Sequence, residues 1–223
     1  MITIFTIEGN IGSGKSTLIR LLEKKYPEIL CILEPVKDWE KIKDKGGENI
    51  LTKFYKNQKK YSFSFQMMAY ISRLASIKKV IKNNKYRIII TERSVYTDKE
   101  VFAKMLYNDD KIEEVNYQIY LQWFDEFIKD IPLDGIIYLR TSPEKCLERI
   151  IKRGREGEII SLEYLEKCHN YHEEWLKDKK QILILNGNLE FKNNSDQILY
   201  NIYKYTQDVD RGMILKNDIN HFL

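Results

Sequence analysis

Residues Gly9-Asn10-Ile11-Gly12-Ser13-Gly14-Lys15-Ser16-Thr17 have the spacing G-x-x-x-x-G-K-[ST], the pattern of a phosphate cradle. Its glycines let the backbone turn so tightly that successive N–H groups and a helix N-terminus aim at phosphate oxygens. Lys15 then reaches the β- and γ-phosphates of a nucleoside triphosphate such as ATP, and the Ser16 hydroxyl suits Mg²⁺. A glycine turn ahead of an ordinary helix shares part of this pattern. The apolar run at residues 2–7 and the amphipathic run from Thr17 supply the strand–loop–helix order that the cradle requires.

Three other groups can do chemistry beside a triphosphate. Glu34 follows an apolar run at residues 29–33, where a carboxylate can take a proton from an attacking hydroxyl. A helix-capping or salt-bridging glutamate fits that position equally well. Glu92-Arg93-Ser94 follows the run at residues 87–91. There Arg93 can hold Glu34 ionised and steady the reacting end of a substrate, while Glu92 can orient Mg²⁺ through water. A Glu-Arg pair capping a helix is the plainer alternative. Arg149 and Arg153 lie four apart on one helical face, with Arg155 just past Gly154. Such a cluster neutralises charge on a transferring phosphoryl group, and the glycine allows it to move as a lid, unless it is only a solvated helix face.

These groups need elements that bring them to one place. Strands are expected at residues 2–7, 29–33, 87–91, 135–139 and 181–185. Helices are expected at 15–25, 50–58, 62–83, near 98–107, and at 115–129, 143–153, 162–179 and 196–205. Five apolar strands alternating with helices predict an α/β fold, a five-stranded parallel sheet covered on both faces, with ligands beyond the carboxyl ends of the strands.

The chain has 223 residues, a net charge of +4 and three separated cysteines, Cys31, Cys146 and Cys168. Residues 1–206 are expected to form one domain, and 207–223 a loosely attached tail, either disordered or folded over the active site. Lysine pairs such as Lys24-Lys25 and Lys78-Lys79 read as solvated helix faces, so no nucleic-acid partner is expected. No apolar run approaches the roughly 18 residues that a membrane span needs. Reduced, packed thiols and a strand beginning at residue 2 point to a cytoplasmic protein without a membrane partner.

The phosphate loop, Glu34-Pro35-Val36 with Trp39, Phe63-Ser64-Phe65-Gln66, Glu92-Arg93-Ser94 and the three arginines occur in an order that resembles the deoxynucleoside kinase family, over residues 1 to about 206. That family includes deoxycytidine, deoxyguanosine and mitochondrial thymidine kinases, and the insect deoxynucleoside kinase. The resemblance implies ATP-dependent phosphorylation of a deoxynucleoside 5′-hydroxyl. Glu34 would be the general base, Arg93 the contact to that oxygen, and Glu92 with Ser16 the support for Mg²⁺. Tyr55 and Glu158 fall where the family binds the 3′-hydroxyl, Gln66 where it grips the base edge, Phe65 and Phe102 where rings enclose the base, and Trp39 at the pocket edge. Arg149, Arg153 and Arg155 resemble the lid, with Glu190 and Phe191 near the ATP adenine. The loop 155–162 is about one residue shorter than in the deoxycytidine kinase branch, which bears on Glu158.

Ala69, Arg73 and Asp98 resemble the deoxycytidine and deoxyguanosine kinase branch. An aspartate accepts from an exocyclic amino group but repels thymine O4, Arg73 pairs with it, and small Ala69 leaves room for purines. A purely structural Arg73–Asp98 ion pair is the alternative. The resemblance also implies a homodimer through the helices at 62–83 and 115–129, with Tyr61, Met67, Tyr70, Tyr117, Tyr120 and Trp123 as candidate interface residues. Two other readings are open: a catalytically silent relative kept as a binding or assembly subunit, and a thymidylate-type nucleotide kinase. A GTPase is disfavoured because there is no Asn-Lys-x-Asp motif.

Overall fold

The computed structural model describes residues 2–83, 85–129, 131–155 and 157–213. Five strands, β1 (Thr3–Glu8), β2 (Ile29–Ile32), β3 (Ile88–Glu92), β4 (Gly135–Arg140) and β5 (Ile182–Asn186), form one parallel sheet in the order β2-β3-β1-β4-β5. From central β1 the chain moves to one side for β2 and β3 and to the other for β4 and β5. The cleft at the carboxyl ends of the strands therefore opens beside β1.

Alternation along β1 and β3 assigns the two faces. Phe5, Ile7, Ile88 and Ile90 pack with Leu18, Ile19 and Leu22 of α1 (Lys15–Lys25) and with Ile198, Leu199 and Ile202 of α10 (Phe191–Asp210). Ile4 and Ile89 face the other way, onto Tyr70, Leu74 and Ile77 of α4 (Gln58–Asn83) and Tyr120 and Phe124 of α7 (Glu114–Phe127). The remaining helices are α2 (Val36–Trp39), α3 (Ile50–Lys56), α5 (Val95–Thr97), α6 (Lys104–Asn108), α8 (Pro143–Arg153) and α9 (Leu162–Leu176), with a π-helical turn at Asp98–Ala103.

The expected fold class holds, and α1 and α8 have the expected bounds. For α8 the signals are local: the Ser142 hydroxyl accepts from the Lys145 N–H, Pro143 opens the first turn, and Gly154 ends the helix with φ 59. Other ends differ. The strand expected at 2–7 extends to Glu8, whose charge hides its membership. Near 98–107 the structure has α5, the π turn and α6 in succession rather than one helix. The last helix spans Phe191–Asp210 instead of 196–205, so the segment from Gln207 expected as tail is helical as far as Asp210. There the Asp210 carboxylate accepts from Thr3 Oγ1 and Arg87 Nε, both at 2.6 Å. Residues 214–223 of the expected tail lie outside the described residues.

Tyr70 and Tyr120 are fully buried in the sheet-facing core, which removes them from any interface. The helices that hold them expose other apolar groups, Ile71, Val115, Ile119, Trp123 and Phe127. On α7 these recur every four residues and so form one stripe.

Candidate active site

The loop between β1 and α1 has positive φ at Gly9, Gly12 and Gly14. A Cβ on Gly9 would lie 2.6 Å from the Leu139 carbonyl oxygen, and one on Gly12 would lie 2.5 Å from that of Cys146. Both glycines are thus required by close backbone approach as well as by conformation. Lys15 Nζ turns into the loop, donating to the carbonyls of Gly9 (2.9 Å) and Asn10 (2.6 Å) and to Ser13 Oγ (3.2 Å). Burial, and next the charge of Arg93, lower its pKa to about 7.

The Asn10 side chain braces the cradle. It donates to the Leu165 carbonyl at 2.8 Å and accepts from the Ile11 N–H at 2.8 Å, tying the loop to α9. Thr17 is exposed on α1. On the outer side of the loop, Arg149 Nη1 donates to the Ser13 carbonyl at 2.7 Å, and Phe191 lies 3.0 Å from where a Gly14 Cβ would be. Glu190 is exposed at the start of α10. The residues expected around an adenine therefore lie together beside the cradle.

On its inner side the cradle opens into a cavity of about 610 Å³. Lys15, Ser16, Glu34, Trp39, Tyr55, Phe65, Gln66, Ala69, Arg73, Glu92, Arg93, Asp98, Phe102, Arg153, Arg155 and Glu158 all line it. Every residue expected at the acceptor is there, brought from α2, α3, α4, the ends of β2 and β3, the π turn and the segment after α8.

At the centre is a network of opposite charges. Arg93 Nη1 donates to both oxygens of Glu34, at 3.0 and 2.8 Å. Arg73 Nη2 donates to Glu34 Oε1 at 2.8 Å, and Nη1 donates to the Glu92 carbonyl at 2.8 Å. Arg73 also grips Asp98, from Nε at 3.0 Å and Nη2 at 3.3 Å. Burial works to raise the Glu34 pKa, but the two guanidiniums outweigh it and hold the carboxyl down at about 2. Burial raises Asp98 above the usual carboxylate range, with Arg73 pulling against it. From the sequence, Arg73 is expected to pair with Asp98. Its bridge to Glu34, 39 residues away in the chain, follows only from the packing of α4 under β2 and β3.

Glu92 Oε1 accepts from Ser16 Oγ at 2.6 Å, and its Oε2 accepts from the Glu34 N–H at 3.3 Å. This hydroxyl and carboxylate beside the cradle match the hard oxygen donors that Mg²⁺ takes. Among the described residues no cluster of three or more His, Cys, Asp or Glu stands ready to hold a metal.

The far end of the cavity is aromatic. Phe65 stacks on Phe54 with ring centres 4.6 Å apart, and Trp39 meets it edge-on at 5.6 Å. Trp39 is buried and is fixed by its Nε1–H to Ser72 Oγ at 2.8 Å. Phe102 underlies the Arg93 guanidinium at 5.3 Å. Gln66 is 2% exposed and its Oε1 has no partner, an acceptor that buried amides seldom leave unused. The Glu158 side chain is 3% exposed despite the short loop, paired with Arg153 and lying 3.6 Å from Arg155. Burial first, and the Glu158 charge next, raise the pKa of the neighbouring Tyr55 phenol. Phe54, Leu51 and Tyr164 also line the cavity, beyond the residues expected from the sequence. As apolar or aromatic helical positions they carry no signal separating pocket from core.

Among the described residues no helix is long and apolar enough to cross a membrane. A family profile for deoxynucleoside kinases matches residues 5–207. The chain is 40% identical to deoxycytidine kinase 2 of Gallus gallus over 221 residues, covering 85% of this chain and 83% of that protein. It is 35% identical to deoxycytidine kinase of Homo sapiens over 232 residues (90% and 89%). It is likewise 35% identical to the mitochondrial deoxyguanosine kinase of Xenopus laevis over 220 residues (85% and 83%). A match of that extent, spanning the cradle, the charged network and the aromatic pocket, shows that the chain belongs to the deoxynucleoside kinase family and is a nucleoside-phosphorylating enzyme.

Proposed function

We propose that the enzyme transfers the γ-phosphoryl group of ATP to the 5′-hydroxyl of a deoxynucleoside, preferring deoxycytidine and the deoxypurines to thymidine. The observation that carries this reading is the position of Glu34. Its carboxylate is ionised between two guanidiniums in the same cavity as Lys15 and Ser16. It takes the 5′-hydroxyl proton as that oxygen bonds to the γ-phosphorus and the bond from phosphorus to the β–γ bridging oxygen breaks, releasing ADP. Arg93 aligns Glu34 and the attacking oxygen. Lys15 and the loop N–H groups of residues 9–17 hold the phosphates, and Arg149, Arg153 and Arg155 offset charge on the transferring group. Ser16 would ligate Mg²⁺ directly and Glu92 would do so through water, the bound ion neutralising phosphate charge.

The nucleobase fits between Phe65 and Phe102, its edge facing Gln66, whose orphan Oε1 calls for a donor. Asp98 accepts from an exocyclic amino group, and Ala69 leaves space for the larger purines. A mismatched buried contact there costs about 1–3 kcal/mol, roughly ten- to a hundredfold in discrimination. Tyr55 and Glu158 take the 3′-hydroxyl, Trp39 walls the pocket, and Glu190 and Phe191 border the adenine. A silent assembly subunit is disfavoured because Lys15, Ser16, Glu34, Arg93 and all three lid arginines are present. The exposed stripe on α7, with Ile71 of α4, supports a homodimer. The three free cysteines, with burial raising the Cys31 and Cys168 thiols to about 12, support a reducing, cytoplasmic setting.

Steady-state rates on the four deoxynucleosides test the reading. Deoxycytidine should have the highest kcat/KM or share it with a purine, and a thymidine maximum would overturn the preference. Glu34→Gln should abolish turnover while ATP still binds, and normal turnover in that variant would remove Glu34 as the base.

A further inference from the structure

One buried carboxylate has no task in this scheme. Glu8 ends β1 directly before Gly9 and is wholly buried. Its Oε1 accepts from Thr6 Oγ1 at 2.8 Å, the Ser94 N–H at 2.9 Å and Ser94 Oγ at 2.7 Å, while Oε2 accepts from Thr97 Oγ1. Three of these four donors come from the turn that follows Glu92-Arg93.

Arg93 is one of two non-glycine residues with positive φ among the described residues, at 61°. A side chain with a Cβ avoids that region, and it persists where the surroundings over-determine it. Both flanks of Arg93 are tied to β1. Its own N–H donates to the Ile7 carbonyl at 3.0 Å, and the next residue, Ser94, is held by Glu8 through backbone and side chain. The same conformation aims the guanidinium at both oxygens of Glu34 and over the Phe102 ring.

We infer that Glu8 is a positioning residue for phosphoryl transfer. By clamping Ser94 and Thr97 to the end of β1, it keeps Arg93 left-handed and its guanidinium on Glu34. This rests on the roles proposed above for Glu34 and Arg93. Without the clamp, Ser94 is free to move, Arg93 relaxes toward ordinary φ, and its guanidinium leaves Glu34.

The test is a set of variants of the full chain, checked for native circular dichroism and assayed for kcat, both KM values and ATP affinity. Displacing a reacting group's partner by about 1 Å costs on the order of a hundredfold. Glu8→Ala should therefore lower kcat roughly ten- to a hundredfold while ATP affinity stays at the wild-type value. Glu8→Gln should recover most of the loss, because its amide oxygen can keep Ser94 and its NH₂ can donate to Thr97 Oγ1. Wild-type kcat in Glu8→Ala, a Glu8→Gln no better than Glu8→Ala, or a parallel loss of ATP affinity would each overturn the positioning role. If Glu8→Ala does not fold, the near-isosteric Thr97→Val decides: a several-fold fall in kcat at unchanged ATP affinity supports the clamp, and wild-type kcat overturns it. Glu34→Gln is run alongside. If it retains normal turnover, the underlying reading fails; if it is inactive while Glu8→Ala is fully active, only the positioning inference fails.

Discussion

Glu34→Gln should destabilise the fold at neutral pH by an amount that fades in acid. The carboxylate is caught by Arg93 at 2.8 and 3.0 Å and by Arg73 at 2.8 Å. Burial opposes its charge, but the guanidiniums prevail and bring its pKa from 4.5 to about 2. A carboxyl whose folded pKa lies below its unfolded one adds stability that is complete above the unfolded value and lost as pH falls through the folded value. A displacement of this size corresponds to about 3 kcal/mol at neutral pH and, by the same linkage, about 1 kcal/mol near pH 3. Glutamine keeps the shape of the side chain and some of its hydrogen bonding but cannot carry the charge, so it stands in for the protonated acid. Urea unfolding followed by circular dichroism should show wild type more stable than Glu34→Gln by about 3 kcal/mol near pH 7, with the gap narrowing below about pH 4.5, the unfolded-state value, at an unchanged m-value. A gap that stays constant with pH, or no gap near neutrality, would refute the claim that Arg93 and Arg73 hold Glu34 ionised.

Other outcomes follow from individual groups. Burial, and next Arg93, lower Lys15 to about 7, and triphosphate oxygens will raise it again, so ATP binding near pH 8 should take up close to one proton on Lys15. Calorimetry in buffers of different ionisation enthalpy measures this, and release of protons would contradict it. Gly157 has φ +74 and a Cβ there would lie 2.1 Å from Thr52 Oγ1, so Gly157→Ala should push the segment carrying Arg155 off α3 and lower kcat about tenfold or more. Thr52→Ala, which removes the nearest clashing atom, should partly restore it. Trp123 is 44% exposed on the apolar stripe of α7, and Trp123→Glu should convert a dimer to monomer in light scattering without loss of melting cooperativity. A monomeric wild type would remove the interface.

What could be read before folding was what local chemistry determines. The cradle, the bounds of α1 and α8 and the parallel sheet rest on glycine spacing, caps and apolar runs, all contained in short windows. The base-binding residues could be placed only through resemblance, because Phe65, Phe102 and Gln66 look like core or helix surface until α4 and the π turn face one another. The π turn was hidden for a related reason. The π turn at Asp98–Ala103 is too short for its shift in helical phase to stand out from the sequence, yet it follows directly on the Ser94–Thr97 turn that Glu8 holds.

Arg73 shows most clearly why charge networks escape a linear reading and why that matters for the enzyme. Its guanidinium joins Asp98, read as the selector of the base, to Glu34, read as the acceptor of the proton, and to the Glu92 carbonyl beside the proposed metal site. Because both carboxylates share one buried cation, removing Asp98 leaves Arg73 with Glu34 as its remaining carboxylate and draws the guanidinium toward it. Removing Arg73 instead leaves Glu34 with Arg93 and Lys15 as the cations that lower it and takes from Asp98 its hydrogen-bonded cation, and burial then favours protonation of one carboxylate. Base preference and proton transfer are therefore not separable by single substitutions at either position. Enlarging the pocket for a thymine methyl at Asp98 or Arg73 must change the environment of Glu34 as well, whereas a change at Ala69, whose side chain carries no charge and takes no part in the hydrogen bonds among Arg73, Asp98 and Glu34, can alter the pocket's shape and leave the network intact.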